Sequence, residues 1–448
     1  MNAIVTLSAH NPAFLPLVLL AVMIALGAIF GRLCEWIHIP SLTGFFLSGI
    51  VVGVYLLLTN QEGTYDSIKA VGSISLSIIM FELGTRLHFR KVSHNISEVL
   101  LIVLSQAVFT VGLVTLAFLL LGAPWEIGLL IGVIAMATSP ETIMVLSRSY
   151  RSKGHLTDAI MPHIGMDDMI GVIIFSIVLA IATSVNGHTV VSTEVMILEP
   201  LFEIVGSILV GGAIGGVLAL FIRISGKDVA RKHQFYLMET VCAIILITAL
   251  TQFHLKIGDV EFILSPILMP MFMGIVFTNL TSKAIRKEND VALDAFTPPF
   301  IMLFFALIGI QLVISVIGLS GSIWFLVLAV LVYVVIRVVG KQIGVIVGSK
   351  LKKTPKEIVK YLVWSLLPQA TVSIGMAQIV LLETDLPEDW RRILFVVVLI
   401  AAFIYQLVGP IVAEKTLIAS REIEPGKLNF FSYEHEGKPK EEPRLPRF

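Results

Sequence analysis

A chain of 448 residues with 56% hydrophobic and only 14% charged side chains, at mean hydropathy +0.92, cannot cover itself with a soluble surface. Soluble domains carry about 25% charged residues. The 32 basic and 32 acidic side chains cancel, which removes nucleic acid as an expected partner. Two cysteines, Cys34 and Cys242, exclude a disulfide scaffold or a Cys-rich metal site. What remains is an all-α polytopic membrane protein.

A bilayer core about 30 Å thick takes roughly 20 apolar residues per helix. That ruler gives thirteen predicted spans: 12–33, 40–58, 67–85, 96–121, 125–147, 157–183, 198–223, 235–253, 262–280, 296–317, 323–348, 358–382 and 391–413. They are far longer than the 9–11 residues of a barrel strand and lack its alternation. The first charge is Arg32, so no basic segment precedes the first apolar stretch and a cleaved signal peptide is not expected. With the N-terminus outside, 26 of the 32 bases fall on one face, four on the other and two, Arg337 and Lys341, within a span. This asymmetry places the C-terminus in the cytoplasm of a cell (inner or plasma) membrane protein. Residues 1–413 form the transporter domain. The tail, 414–448, is too short for a regulatory nucleotide-binding domain. Function is therefore expected inside the membrane.

Polar groups in hydrocarbon are costly, so the spans that carry them are the informative ones. Near the inner end of span three, Glu82 stands four residues before Arg86, where a plain salt bridge competes with a supporting role at a site. Span five reads Ala-Thr138-Ser139-Pro140-Glu141-Thr, a proline inside an otherwise helical run. Span six holds the strongest signal, His163-Ile-Gly-Met-Asp167-Asp168. Two adjacent carboxylates away from water repel each other, and such a pair can hold a cation or protons and exchange one for the other. A pair that only fixes helix packing is the structural alternative, an expensive way to pack. His163 reads first as a hydrogen-bonded packing residue and only second as a pH-sensitive group.

Gly211, Gly212, Gly215 and Gly216 in span seven, with Gly340, Gly344 and Gly348 in span eleven, read as close-packing faces. Span eleven also carries Arg337 and Lys341, at i and i+4 on one helical face. At least one must be a counter-ion for Asp167, while Lys341 has the option of reaching the inner interface. Span twelve repeats the broken pattern as Ser365-Leu-Leu-Pro368-Gln369-Ala-Thr371-Val-Ser373. Proline frees backbone groups at membrane depth, tolerated only where the break is buried or lines a cavity. Spans five and twelve run in opposite directions seven spans apart, the pointer to an inverted-repeat transporter. Residues 12–183 then map onto 235–413, with 198–223 as connector.

Taken together, Thr138-Ser139-Pro140 in a broken span five, Asp167-Asp168 in span six, Arg337-x-x-x-Lys341 in span eleven and Pro368-Gln369-Ala-Thr-Val-Ser in a broken span twelve resemble the monovalent cation:proton antiporter superfamily. That superfamily includes the NapA- and NhaA-type bacterial sodium/proton antiporters and the animal sodium/proton exchangers. The resemblance covers 12–413. It implies that Asp168 is the main cation- and proton-binding carboxylate and that Asp167 assists and pairs with a basic residue. It further implies oxygens lent by Thr138 and its surroundings, broken helices crossing beside the site, and a homodimer whose core domain moves against a dimerisation domain. Electroneutral members have Asn before the key aspartate and Glu five residues before it; here those positions are Asp167 and His163. The double aspartate resembles the electrogenic branch, where a span-eleven lysine pairs with the first aspartate, yet Arg337 is also present. Gln369 stands where the family usually has a basic residue.

The expected function is exchange of a monovalent cation, sodium or lithium, for protons by alternating access, with one net charge moved. Potassium/proton exchange or a Kef-like potassium efflux protein is the alternative. No cofactor is expected, and no enzyme activity: neighbouring aspartates on one helix point about 100° apart and cannot flank a water as an aspartyl protease requires.

Overall fold

The computed structural model describes residues 14–37, 40–61, 63–87, 96–138, 155–186, 193–225, 232–253, 255–257, 260–319, 322–369, 371–384 and 386–420. In chain order the helices are α1 (Phe14–Trp36), α2 (Ser41–Leu58), α3 (Thr64–Arg86), α4 (Ile96–Leu120), α5 (Trp125–Met136), α6 (His155–Asn186) and α7 (Thr193–Ser225). They continue with α8 (Lys232–Thr251), α9 (Leu268–Leu280), α10 (Lys283–Ile317), α11 (Ile323–Lys352), α12 (Lys356–Ser365), α13 (Thr371–Glu383) and α14 (Glu388–Ala419). Among the described residues nine of these are long and apolar enough to cross a membrane, and α5, α8, α9 and α13 are shorter apolar helices. The all-helical expectation needs one amendment. Between α8 and α9 stands a small antiparallel hairpin, β1 (Leu255–Ile257) with β2 (Val260–Phe262), pairing Leu255 with Phe262.

Span twelve is interrupted as its proline predicts. Helix α12 stops at Ser365, Pro368 and Gln369 follow outside any helix, and α13 restarts at Thr371. In span five, α5 ends at Met136 and Ala137 is already extended, at φ −60° and ψ 139°. At about 1.5 Å per residue, α5 and α13 are roughly 18–20 Å long, short of the membrane core. The C-terminal ends of α5 and α12 lie inside the protein, so their last carbonyls need partners there. The continuation of span five after Thr138, including Ser139, Pro140 and Glu141, lies outside the described residues.

The helices sort into two groups. One holds α1, α2, α3, α8, α9 and α10, with α7 laid along α9 and α8; the other holds α4, α5, α6 and α11–α14. The main contacts joining them are α10 with α14, α3 with α13, α6 with α9, and α7 with α6. Glycines set the tightest approaches within each group. A Cβ on Gly49 would lie 1.8 Å from the Ala306 carbonyl oxygen, and one on Gly309 2.4 Å from that of Phe46, so α2 and α10 touch backbone to backbone. The α3–α9 crossing is built alike, with Gly84 against Met271 O at 2.0 Å and Gly274 against Phe81 O at 2.2 Å. In span seven, Gly211 and Gly215 perform the same service against Met269 and Met273 of α9. In α11, Gly340, Gly344 and Gly348 lie on Thr110, Gln106 and Ile102 of α4. Small residues let backbones close in where the lipid supplies no hydrophobic drive between helices.

Candidate functional site

The site forms where α4, α6 and α11 meet the end of α5. Asp167 and Asp168 are both fully buried on α6, and Lys341 of α11 is 1% exposed. The Lys341 ammonium lies 3.2 Å from Asp167 Oδ2, a closed ion pair. Thr138, the last described residue after α5, donates its hydroxyl to the same Oδ2 and accepts from Lys341 Nζ. Gln106 of α4 donates from Nε2 to Asp167 Oδ1 at 2.9 Å, and His163 Nε2 stands 3.4 Å from Gln106 Oε1. Asp167 is thus saturated on both oxygens. The Gly344 contact explains how: it brings the α4 backbone at Gln106 against α11, so Gln106 and Lys341 reach the carboxylate from neighbouring helices.

Asp168 is different. Neither of its buried carboxylate oxygens has a hydrogen-bond partner among the described residues, although the Thr138 main chain approaches it. A buried carboxylate without donors is strongly disfavoured unless a proton or a cation occupies it. Lys341 is the one base within ion-pair distance of these two carboxylates among the described residues. Among the described residues no cluster of three or more His, Cys, Asp or Glu side chains is assembled. The additional oxygen beside the carboxylates is the Thr138 hydroxyl.

Arg337 goes elsewhere. Its Nε donates to Ala135 O (2.8 Å) and Nη2 to Ala137 O (2.8 Å), both at the end of α5, while Nη1 donates to Leu367 O (2.9 Å) in the span-twelve break. The guanidinium stacks on the Tyr405 ring at 4.4 Å, and the Tyr405 hydroxyl donates to Val334 O. A planar fork with five donors suits this task, capping two helix ends whose carbonyls have lost their partners and whose dipoles favour a cation. Of the two bases on one face of α11, Lys341 therefore meets Asp167 and Arg337 holds the broken helices.

Gln369 completes the junction. Its Nε2 lies within hydrogen-bond distance of Ile134 O (3.2 Å), the Tyr333 hydroxyl (2.8 Å) and Ser373 Oγ (2.9 Å). An uncharged amide here caps α5 without adding a second cation beside Arg337. Pro368 packs against Gly409 of α14, where a Cβ would fall 2.9 Å from its ring. Glu82 is not drawn into the aspartate group; it is half-buried and bonded to Arg86 at 2.6 Å, the local i,i+4 pair. Ser139, Pro140 and Glu141 lie outside the described residues. Gln106 is the site residue that reading the sequence passed over. Its signal was an amide in the middle of an apolar 25-residue helix.

The profile of the family described as "Sodium/hydrogen exchanger, transmembrane" matches residues 18–415, most of the chain. The chain belongs to this family. It is accordingly a member of the monovalent cation:proton antiporter superfamily. Sequence relatives include the protein named sodium/hydrogen exchanger 9B2 from Homo sapiens, 26% identical over 358 residues, covering 77% of this chain and 62% of the relative. The Pongo abelii protein of that name is 24% identical over 353 residues with the same coverage. This chain thus spans about three-fifths of these curated relatives. Among solved structures, the sodium proton antiporter MjNhaP1 from Methanocaldococcus jannaschii at pH 8 superimposes with a TM-score of 0.70 at 15% identity, covering 91% of this chain and 98% of that one. A second structure of MjNhaP1 gives 0.67 at 17% identity, with 94% and 98% covered. At such identities the likeness is one of fold.

Proposed function

We propose that this protein exchanges a monovalent cation, sodium or lithium, for protons across a cell membrane by alternating access, with Asp168 and Asp167 as the shared binding group. The observation that carries the reading is the unequal state of the two carboxylates. Asp167 is held by Lys341, Thr138 and Gln106, whereas Asp168 is buried with its oxygens unpartnered among the described residues. One carboxylate is anchored and the other awaits a positive charge. Cation and proton compete for it, and only the occupied group crosses the low-dielectric region, which suppresses leak.

Lys341 gives the second half of the cycle. When a cation binds both carboxylates, Asp167 has to loosen its hold on the ammonium, and Lys341 then carries a proton that it can release. Two protons exchanged for one sodium ion move one net charge, coupled to voltage at about 2.3 kcal/mol per 100 mV. The family description and the relatives' names support sodium over potassium efflux.

The architecture proposed is thirteen spans, N-terminus outside and C-terminus in the cytoplasm, with α1–α6 and α8–α14 as inverted repeats and the breaks of spans five and twelve crossing at Arg337. The seven-span offset turns the α2–α10 crossing into the α3–α9 crossing, and the paired glycines at both support it. A homodimer in the lipid bilayer is part of the proposal, supported by the resemblance to the superfamily. The test is flux in proteoliposomes loaded with a pH dye. Sodium or lithium is expected to dequench the dye and potassium to do so far less. Asp168→Asn is expected to abolish the signal; a variant with the wild-type rate would sink the site assignment.

A further inference from the structure

Helix α14 opens with two adjacent arginines that serve different helices. Arg391 Nη1 donates to Leu381 O (3.2 Å) and to Thr384 O, the end of α13 in its own group. Arg392 Nη1 instead reaches Ile314 O (3.3 Å) in the last turn of α10, which belongs to the other group. Glu388, one turn back, holds the same guanidinium by an ion pair. Ile314 O also accepts the Gly318 N–H at 3.2 Å, so the guanidinium is a second donor to it. The C-terminal end of a helix carries partial negative charge, so a cation there is favoured.

Gly318, directly after α10, makes room for this contact. Its φ of −75° and ψ of 0° suit any L-residue, so the backbone does not call for glycine. What calls for it is Arg392: a Cβ on Gly318 would lie 1.4 Å from Nη1 and 2.3 Å from Cζ. The contact is therefore built from both sides. On the same side of the membrane, Gln378 of α13 is buried at the α3–α13 contact, with Nε2 3.9 Å from where a Cβ of Gly72 would be. Its Oε1 has no partner among the described residues, an atom that opening of this seam would hydrate.

We propose that Arg392 seated over Gly318 is a latch that holds the two helix groups together on the side of the α10–α11 and α13–α14 connections. Releasing it shifts the population toward the state open on that side. The inference rests on the alternating-access reading, but its test needs no transport. The full chain, with Cys34→Ala and Cys242→Ala, is placed in nanodiscs with one reporter cysteine, either Gln378→Cys at the latched seam or Leu87→Cys at the opposite end of α3. The readout is the reaction rate with a charged maleimide.

A hydrogen bond to a charged group is commonly worth a tenfold shift or more. Arg392→Ala and Gly318→Ala are each expected to speed labelling at 378 about tenfold while leaving 87 unchanged or slower. Gly318→Ala keeps the arginine and merely displaces it, so a shared effect points to the contact rather than to lost charge. Lys69→Ala, which removes an exposed pair with Asp66 on the same side, is expected to change neither rate. Equal acceleration at both reporters would mean general loosening and overturn the latch. So would unchanged labelling at 378 in either variant. Absence of sodium- or lithium-driven proton flux in the parent chain, with the labelling pattern as expected, would count against the antiport reading and leave the latch standing.

Discussion

Removing one partner of a buried ion pair leaves the other as an uncompensated charge, which costs about 3–5 kcal/mol, whereas replacing both by apolar groups is often neutral. Lys341 and Asp167 are such a pair, at 1% and 0% side-chain exposure. Lys341→Met is therefore expected to lower the thermal midpoint of the purified protein sharply. The double variant with Asp167→Asn is expected to recover most of that loss, as a double-mutant cycle in detergent will measure. Two additive losses would mean that the pair does not act as a unit. The aspartates were legible in the sequence because burying two charges side by side has few structural uses. The division of labour between Arg337 and Lys341 was not. Both lie on one helical face, and what separates them is the position of two sets of freed carbonyls, which no local spacing encodes. Gln106 escaped for a related reason: an amide in an apolar helix is ambiguous until its neighbour across the crossing is known.

At the scale of elements, the broken helices are the consequential feature. The span-twelve break is where Pro368 predicts it, and Pro140 of span five lies outside the described residues. The sequence could not say who satisfies the exposed carbonyls. Arg337 does so for Ala135, Ala137 and Leu367 together, and Gln369 for Ile134. A lysine in place of Arg337 keeps the charge but lacks the planar fork, and cannot serve three carbonyls on two helix ends at once. Arg337→Lys is accordingly expected to behave more like Arg337→Ala than like wild type in thermal stability. Each buried carbonyl left unpaired costs about 1–3 kcal/mol. Wild-type stability in Arg337→Lys would show that one of the three contacts carries the load. The hairpin between α8 and α9 was missed because three-residue strands are too short to show a period of two.

For the whole molecule, the asymmetry of the bases and the pairing of spans seven apart are expectations that the sequence alone carries. The two helix groups are not. They emerge from glycine crossings such as Gly49 with Gly309 and Gly84 with Gly274, whose partners lie hundreds of residues away in sequence. These contacts make each group a packed unit joined by a sparser seam, while the Asp167–Asp168 centre belongs wholly to the α4–α6 and α11–α14 group. A centre lying in one unit beside a seam suits the proposed exchange, in which the ion need not leave its ligands to change sides. The central claim is that cation and protons compete for this one centre. It is tested most directly by calorimetric titration of sodium into the purified protein in buffers of different ionisation enthalpy. The account predicts saturable binding accompanied by proton release, weakened as pH falls, and absent in Asp168→Asn. Sodium binding without proton release, or binding retained in Asp168→Asn, would contradict it.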